Sequence, residues 1–378
     1  MHLLTSREDP FPSVVLEAMS AGVPTVAFEE AGGAPDVLRD LQAGVSVPLG
    51  DAAAMVRQLR AIALQTGPEE RARLARLARR QFPFAAYADR LLELALPRTG
   101  RVTVVVPNYN YAHYLPTRLQ SIFAQTEAPA EIVVLDDASA DRSERVVRQE
   151  AARAGRDVRW VGSPSNSGNV FAQWRRAAEM AETEFVWIAE ADDGAEPALL
   201  ERLLEAMRAD PEARFGFADS RAVDAGGATL WPDHQGYYRE SGTSLLERSG
   251  TIPAEPFLRE CLGSRNLVLN ASAVLWRREA LLAALDRCAD LLGEFRLAGD
   301  WLLYAEALAG GGSVAYVAEP LNLHRRHGAG VTHGMPPIRH LDEIRRMHRR
   351  VRALLGNPAG LQSEQRRALT AARRVLQD

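Results

Sequence analysis

Short, almost wholly apolar runs bounded by turn-forming residues recur through the middle of the chain: Val102-Thr-Val-Val-Val-Pro107, Glu131 to Leu135, Val158 to Val161 and Phe185-Val-Trp-Ile-Ala189. Runs of that length and composition read as strands buried on both faces. Between them, residues 116–125, 143–154 and 170–181 carry apolar positions at helical spacing. Alternating strand and helix predicts a mainly parallel sheet with right-handed crossovers and helices on both faces. In such sheets ligands sit outside the carboxyl ends of the strands, so the polar loops after these runs are the candidate site.

Before residue 97 the same alternation is shorter. An apolar start at His2 to Thr5 is followed by a helix from Ser13 to Ala21, a strand from Val23 to Phe28 and several Arg- and Leu-rich helices. The segment Leu96-Pro-Arg-Thr-Gly100 divides the units. After about residue 335, Ile338 to Leu355 reads as a helix crowded with Arg339, Arg345, Arg346, Arg349, Arg350 and Arg352 beside Leu341, Ile344, Met347, Val351 and Leu354. Such a helix is either a surface helix with a solvated charged face or a peripheral attachment to anionic lipid. The expected division is 1–97, 98–335 and a helical tail over 336–378.

Composition narrows the chemistry. With 378 residues, 47% hydrophobic and 25% charged, the chain is an ordinary globular protein of two or three domains. A net charge of -4 argues against a general nucleic-acid binder. No apolar run reaches the roughly 18 residues that span a bilayer and no N-terminal signal is present, so the expected location is cytoplasmic. Cys261 and Cys288 lack metal or redox spacing and read as reduced, buried thiols. The chain has no lysine, which excludes Schiff-base catalysis and a Walker-type phosphate lysine, and leaves fixed positive charge to arginine.

Acidic chemistry stands at three strand ends: Pro107-Asn-Tyr109-Asn, Asp136-Asp137-Ala-Ser and Asp192-Asp193. A carboxylate pair leaving a buried strand is suited to hold a hard divalent cation against substrate phosphates, although Asp-Asp-Gly is also good turn chemistry. The ordered set Val104-Val-Val-Pro-Asn-Tyr-Asn110, Ser121-Ile-Phe-Ala-Gln-Thr126, Ile132-Val-Val-Leu-Asp-Asp-Ala-Ser139, Asn166-Ser-Gly168 and Ala189-Glu-Ala-Asp-Asp193 resembles family 2 glycosyltransferases of the GT-A fold over about residues 101–335.

That resemblance implies a nucleotide-diphosphate sugar as donor, a UDP-sugar being favoured, with Mn2+ or Mg2+ as cofactor. Pro107 belongs to the donor loop, Tyr109 lies against the base, Asp137 hydrogen-bonds a base edge and Asp136 supports that loop. Asp192 meets the ribose, Asp193 binds the metal, and Asn166 and Gly168 shape the ribose side. Where the family often has an Arg-Asn pair, this chain has Gln173-Trp174. Asn322-Leu-His-Arg-Arg-His327 resembles the family's closing segment, which implies His327, with His324 in reserve, near the metal and Arg325 or Arg326 at the leaving diphosphate.

Inverting transfer needs a carboxylate beneath the acceptor hydroxyl. Asp300, ahead of an amphipathic helix from Trp301 to Ala309, is the expected base; Glu294 is the substitute, and an N-cap is the alternative role for Asp300. Asn266-Leu-Val-Leu-Asn270-Ala-Ser272 resembles the family's strand facing the acceptor, with an ordinary core strand as the alternative. The expected function is metal-dependent inverting transfer to a glycan or lipid-linked acceptor in surface polysaccharide synthesis. Its rivals are nucleotidyl transfer and a non-catalytic nucleotide-sugar-binding subunit.

The first unit resembles something else. Asp9-Pro-Phe-Pro-Ser13-Val-Val-Leu-Glu17, followed by Gly22-Val-Pro-Thr-Val and Gly32-Gly33, resembles the donor half of family 4 glycosyltransferases, which have the GT-B fold. The resemblance implies a partial Rossmann-like domain in which the amides opened by Ser13 face a diphosphate, Glu17 the ribose and Asp9 the sugar. Since GT-B enzymes work in a cleft between two domains and only one is represented, residues 1–97 are not expected to catalyse transfer alone. Either the chain is a fragment of a longer two-enzyme protein, or the segment is a docking or structural module.

Overall fold

The structure, a computed structural model, describes residues 1–6, 13–30, 32–82, 101–327 and 336–376. It divides into two compact units, Met1–Pro97 and Arg98–Asp378. The expected division around residues 96–100 and the expected sugar contact Asp9 lie outside the described residues.

In the first unit β1 (His2–Leu3), β2 (Thr25–Phe28) and β3 (Gly44–Val47) form a parallel three-stranded sheet in the order β1-β2-β3. Helices α1 (Ser13–Ser20), α2 (Ala34–Asp40), α3 (Ala52–Gln65) and α4 (Pro68–Gln81) connect and cover it. Met19, Leu38 and Leu74 close one face, and Val26, Val47 and Met55 the other. Ser13 and Glu17 sit exposed on α1 with Ser13 Oγ 3.5 Å from Glu17 Oε1.

The second unit is built on a ten-stranded mixed sheet. The strands read from the alternation, β4 (Val102–Asn108), β5 (Glu131–Asp136), β6 (Arg159–Gly162) and β7 (Phe185–Ile188), are mutually parallel in the order β7-β4-β5-β6. Pleating turns Val104, Val106 and Val134 to one face and Val105, Val133 and Leu135 to the other. Both faces need cover, and α5 (Leu115–Phe123), α6 (Ser143–Ala154) and α7 (Val170–Met180) begin to supply it.

After the two-residue β8 (Gly194–Ala195) and α8 (Leu199–Ala209), the sheet turns mixed. Among β9 (Ala213–Val223), β10 (Thr229–Trp231), β11 (Gly250–Pro253), β12 (Val274–Arg277) and β13 (Ser313–Arg325), β12 runs antiparallel between β7 and β9, whereas β13 lies parallel to β9. Residues 266–272, read from the sequence as a strand, are not one: 266–270 are irregular and Ala271–Ala273 form a 3-10 turn. Asn266 and Asn270 turn their side-chain oxygens onto the amides of Val268 and Ser272, which diverts the backbone from a ladder.

Helices α9 (Gln235–Ser241), α10 (Arg278–Arg287) and α11 (Gly299–Ala307) complete this half. The tail is two helices, α12 (Pro337–Leu354) and α13 (Leu361–Val375), that pack on the second unit. Met347 and Val351 are buried in the same cluster as Trp301 and Tyr304. Arg350 pairs with Glu306, Arg346 with Asp342 and Glu294, and Arg352 donates to Gln365. Met347 and Val351 of this helix are therefore committed to the protein core, and of the six named arginines Arg339, Arg345 and Arg349 are exposed. Among the described residues no helix is long and apolar enough to cross a membrane.

Candidate active site

A cleft of about 640 Å³ opens at the carboxyl ends of the parallel strands. Pro107, Tyr109, Asp137, Asn166, Gly168, Asp192, Asp193, Asp300, Arg325, Arg326 and His327 all line it. Those positions come from stretches far apart in sequence, and the sheet order gathers them.

The loops after β4 and β5 are locked to each other. Asp136 accepts from Asn108 Nδ2 at 2.7 Å and from Ser139 N and Oγ at 2.9 and 2.5 Å. Ala140 N donates to Asn110 Oδ1 at 2.8 Å, while Asn110 and Ala138 take positive φ values of 58° and 64°. This hydrogen-bonded frame leaves Tyr109 46% exposed over the cleft, its ring presented as a flat apolar face.

Asp137 is buried, and its carboxylate accepts from Ser167 N at 3.0 Å to both oxygens, from Ser167 Oγ at 2.7 Å and from Gln173 Nε2 at 2.8 Å. It ties the 163–169 loop to α7, with Gln173 standing where the resemblance has Arg-Asn. Asn166 closes that loop by accepting from Gly168 N at 2.6 Å, and Gly168 takes φ +62°. Asn169, which the sequence reading passed over, caps α7 by accepting from Phe171 N at 2.9 Å.

The acid pair is heavily supported. Asp193 accepts from Arg325 N at 2.8 Å, Asn270 Nδ2 at 2.9 Å and Ser272 Oγ at 2.7 Å. Asp192 Oδ2 lies 2.8 Å from His327 Nε2, and burial together with the neighbouring Asp193 charge holds the Asp192 carboxyl above its ordinary range. Glu190, beside them, accepts from Trp174 Nε1 at 3.1 Å and is pushed up to about 8 by burial and by Asp192. Beneath the cluster Arg118, fully buried, donates from Nε to the Glu190 carbonyl at 3.0 Å and lies 5.0 Å from the Trp187 ring centroid. Asn270, Ser272, Glu190 and Arg118 were not assigned roles from the sequence, although Glu190 lies inside the acidic motif, 266–272 was read as a segment that could face the acceptor, and Arg118 interrupts an apolar helix face.

The two arginines of the closing segment differ. Arg325 is tied down, donating to the carbonyls of Asp192, Asp224 and Ala225 at 2.7, 3.0 and 3.1 Å. Arg326 is exposed at the cleft with its guanidinium 5.9 Å from the Trp231 ring. His327 packs between Tyr111 and Tyr114 at ring distances of 6.1 and 5.3 Å. His324 also lines the cleft; its Nδ1 is buried with no partner among the described residues, and burial holds its pKa low.

Asp300 lies in the first turn of α11. Its Oδ1 accepts from Trp301 N at 2.7 Å and its Oδ2 from Asn266 Nδ2 at 3.2 Å. Ala298 occupies the N-cap position, so Asp300 is not the cap. Its carboxyl is pushed up to about 7, first by burial and last by the charge of Glu343. Glu294 is elsewhere: it pairs with Arg346 and lines a separate small cavity. Gly299 is required by close approach, because a Cβ there would stand 2.2 Å from the Phe171 ring.

Among the described residues no group of three or more His, Cys, Asp and Glu side chains forms a cation cage. The donors do suit one kind of hard cation. Magnesium-like ions are commonly held by one or two carboxylates, with phosphate oxygens and water completing the shell. Burial first, and the neighbouring Asp193 charge second, raise the Asp192 carboxyl, so a cation beside the pair would offset negative charge there.

A mixed sheet of this order, with acidic loops from several strand ends facing one cleft, is the GT-A architecture of the glycosyltransferase class. Residues 103–253 match the family model Glycosyl transferase family 2, and residues 1–81 match Glycosyl transferases group 1. The second unit thus carries a family 2 glycosyltransferase domain, and the first carries part of a GT-B type domain. An uncharacterized protein of Mycobacterium tuberculosis is 26% identical over 234 residues, 61% of this chain and 60% of that protein. Chondroitin synthase of Escherichia coli is 26% identical over 163 residues, covering 42% of this chain and 23% of the synthase. The chain therefore spans less than two thirds of the length of these relatives. The crystal structure of S. aureus TarS 1-349 shares the fold, with a TM-score of 0.51 and 17% identity over 73% of each chain.

Proposed function

We propose that the second unit transfers a sugar, with inversion, from a nucleotide-diphosphate donor to a hydroxyl of a glycan or lipid-linked acceptor. The observation that carries this is the single cleft shared by Tyr109, Asp137, Asp192, Asp193 and Asp300. Tyr109 supplies the face for the base and a UDP-sugar is the favoured donor. The 163–169 loop, anchored on Asp137, walls the ribose side. Arg326, the arginine whose guanidinium is not tied to backbone carbonyls, meets the diphosphate.

Asp193, with His327 near it, would hold a divalent cation, manganese or magnesium, whose shell the diphosphate and water complete and which when bound stabilises negative charge on the diphosphate, while Asp192 meets the ribose. Asp300 accepts the acceptor's hydroxyl proton while that oxygen attacks the anomeric carbon opposite the leaving group. A carboxyl poised near neutrality suits that work.

The first unit does not transfer sugar by itself. A donor screen by thermal shift, with and without manganese, followed by transfer assays on Asp300→Asn in the full chain, tests both statements. Expected are donor-dependent stabilisation and loss of transfer with donor binding kept. Residual transfer in Asp300→Asn would move the activity to the first unit or to another base, and loss of donor binding would make Asp300 a structural residue.

A further inference from the structure

The segments on both sides of Asp300 are held by groups of α12 and α13. The turn leading into it, residues 296–298, presents three backbone amides, and all three donate to one buried carboxylate on α12. Arg296 N reaches Glu343 Oε1 at 3.0 Å, and Leu297 N and Ala298 N reach Glu343 Oε2 at 2.9 Å each. On the other side, Asn266 holds Asp300 Oδ2, and the irregular segment bearing Asn266 is fastened to the same two helices. His348 Nε2 lies 2.8 Å from Ser264 O, and Gln365 Nε2 donates to Gly263 O at 2.7 Å. Glu343 is 6% exposed.

A charged acceptor that receives three amides is among the stronger hydrogen-bonding arrangements available to a protein, and leaving those donors without it costs heavily in a buried site. The three amides immediately precede Gly299, whose contact with Phe171 allows the turn little room to shift.

We propose that Glu343 is a positioning residue: it fixes the 296–300 turn, and so places the Asp300 carboxylate in the cleft. The C-terminal helices, which lie beyond the residues matched to the family, thereby belong to the active-site apparatus. The inference rests on the reading of Asp300 as the base. A second consequence follows from charge. Facing Asp300 are Asn266, Tyr304 and Glu343, while Arg296 lines the cleft beside it. Facing Glu343 are Arg339, Asp342 and Arg346 of its own helix with Glu294 and Arg296 opposite, and His340 lies close enough to feel its charge. Removing the Glu343 charge makes the Asp300 proton easier to lose.

The test uses the full chain as Glu343→Gln, which keeps one acceptor oxygen, and Glu343→Ala. Amide hydrogen exchange over residues 294–302 should rise at least about tenfold in Glu343→Ala and less in Glu343→Gln, with β4 and β5 unchanged. The difference in pH-dependent melting between Asp300→Asn and its parent reports the Asp300 titration without any substrate. In the Glu343→Gln background its midpoint should move toward acid. Turnover of the donor found by screening should fall while binding of UDP with manganese stays the same. Unchanged exchange at 296–298 together with an unmoved Asp300 titration overturns the proposal. Full transfer by Asp300→Asn instead overturns the base assignment, and the exchange and melting data still judge Glu343.

Discussion

At the scale of single residues, Asp300 combines an activity with a cost. Its raised carboxyl contributes stability that is complete below the ordinary aspartate range and is lost as pH rises through about 7. Asp300→Asn should therefore be more stable than its parent above that pH, by about 2–4 kcal/mol, and should lose the advantage toward pH 4. Denaturant titrations at several pH values measure this, and a constant difference across pH would refute the elevated carboxyl. The same group sets an acid limb on kcat/KM: transfer should rise with pH and level off above about 7. Gly299→Ala brings a methyl into the Phe171 ring and should destabilise the unit by about 1–3 kcal/mol while lowering turnover, read from unfolding and transfer together.

Among elements, the loops after β4 and β5 act as one part because Asp136 bridges them. Asp136→Ala removes the acceptor for Asn108 Nδ2 and for Ser139 N and Oγ. The expected result is a loss of about 1–3 kcal/mol of stability with weaker UDP binding, measured by denaturation and calorimetry. Intact UDP affinity would show that Tyr109 does not depend on this frame. Legibility at this scale followed local chemistry. Helix α6 was read at its observed ends, and β4 to β7 were read from short, mostly apolar runs. Residues 266–272 were misread because their apolar spacing fits a strand, whereas two asparagine side chains divert the backbone.

For the whole second unit, the C-terminal helices act as a brace. Met347→Ala opens a cavity in the cluster that holds Trp301 and Tyr304, and should cost about 2–5 kcal/mol in unfolding free energy. A loss confined to α12 and α13, with the rest melting as before, would show that they are an appendage.

From sequence alone, the chain determined its strand–helix alternation, the acidic strand ends and the resemblance to two glycosyltransferase families. The alternation follows from composition and periodicity that each segment carries by itself, and the resemblance from the order and spacing of short motifs. Tertiary structure decided what the segments share. It gave Asp193 its support from Asn270 and Ser272, Arg325 its role as a tie, and Glu343 its place under the turn before Asp300. These contacts join positions tens of residues apart, and nothing in the local pattern of either partner encodes the other, since a buried carboxylate and its donors meet only once the sheet and its covering helices have packed.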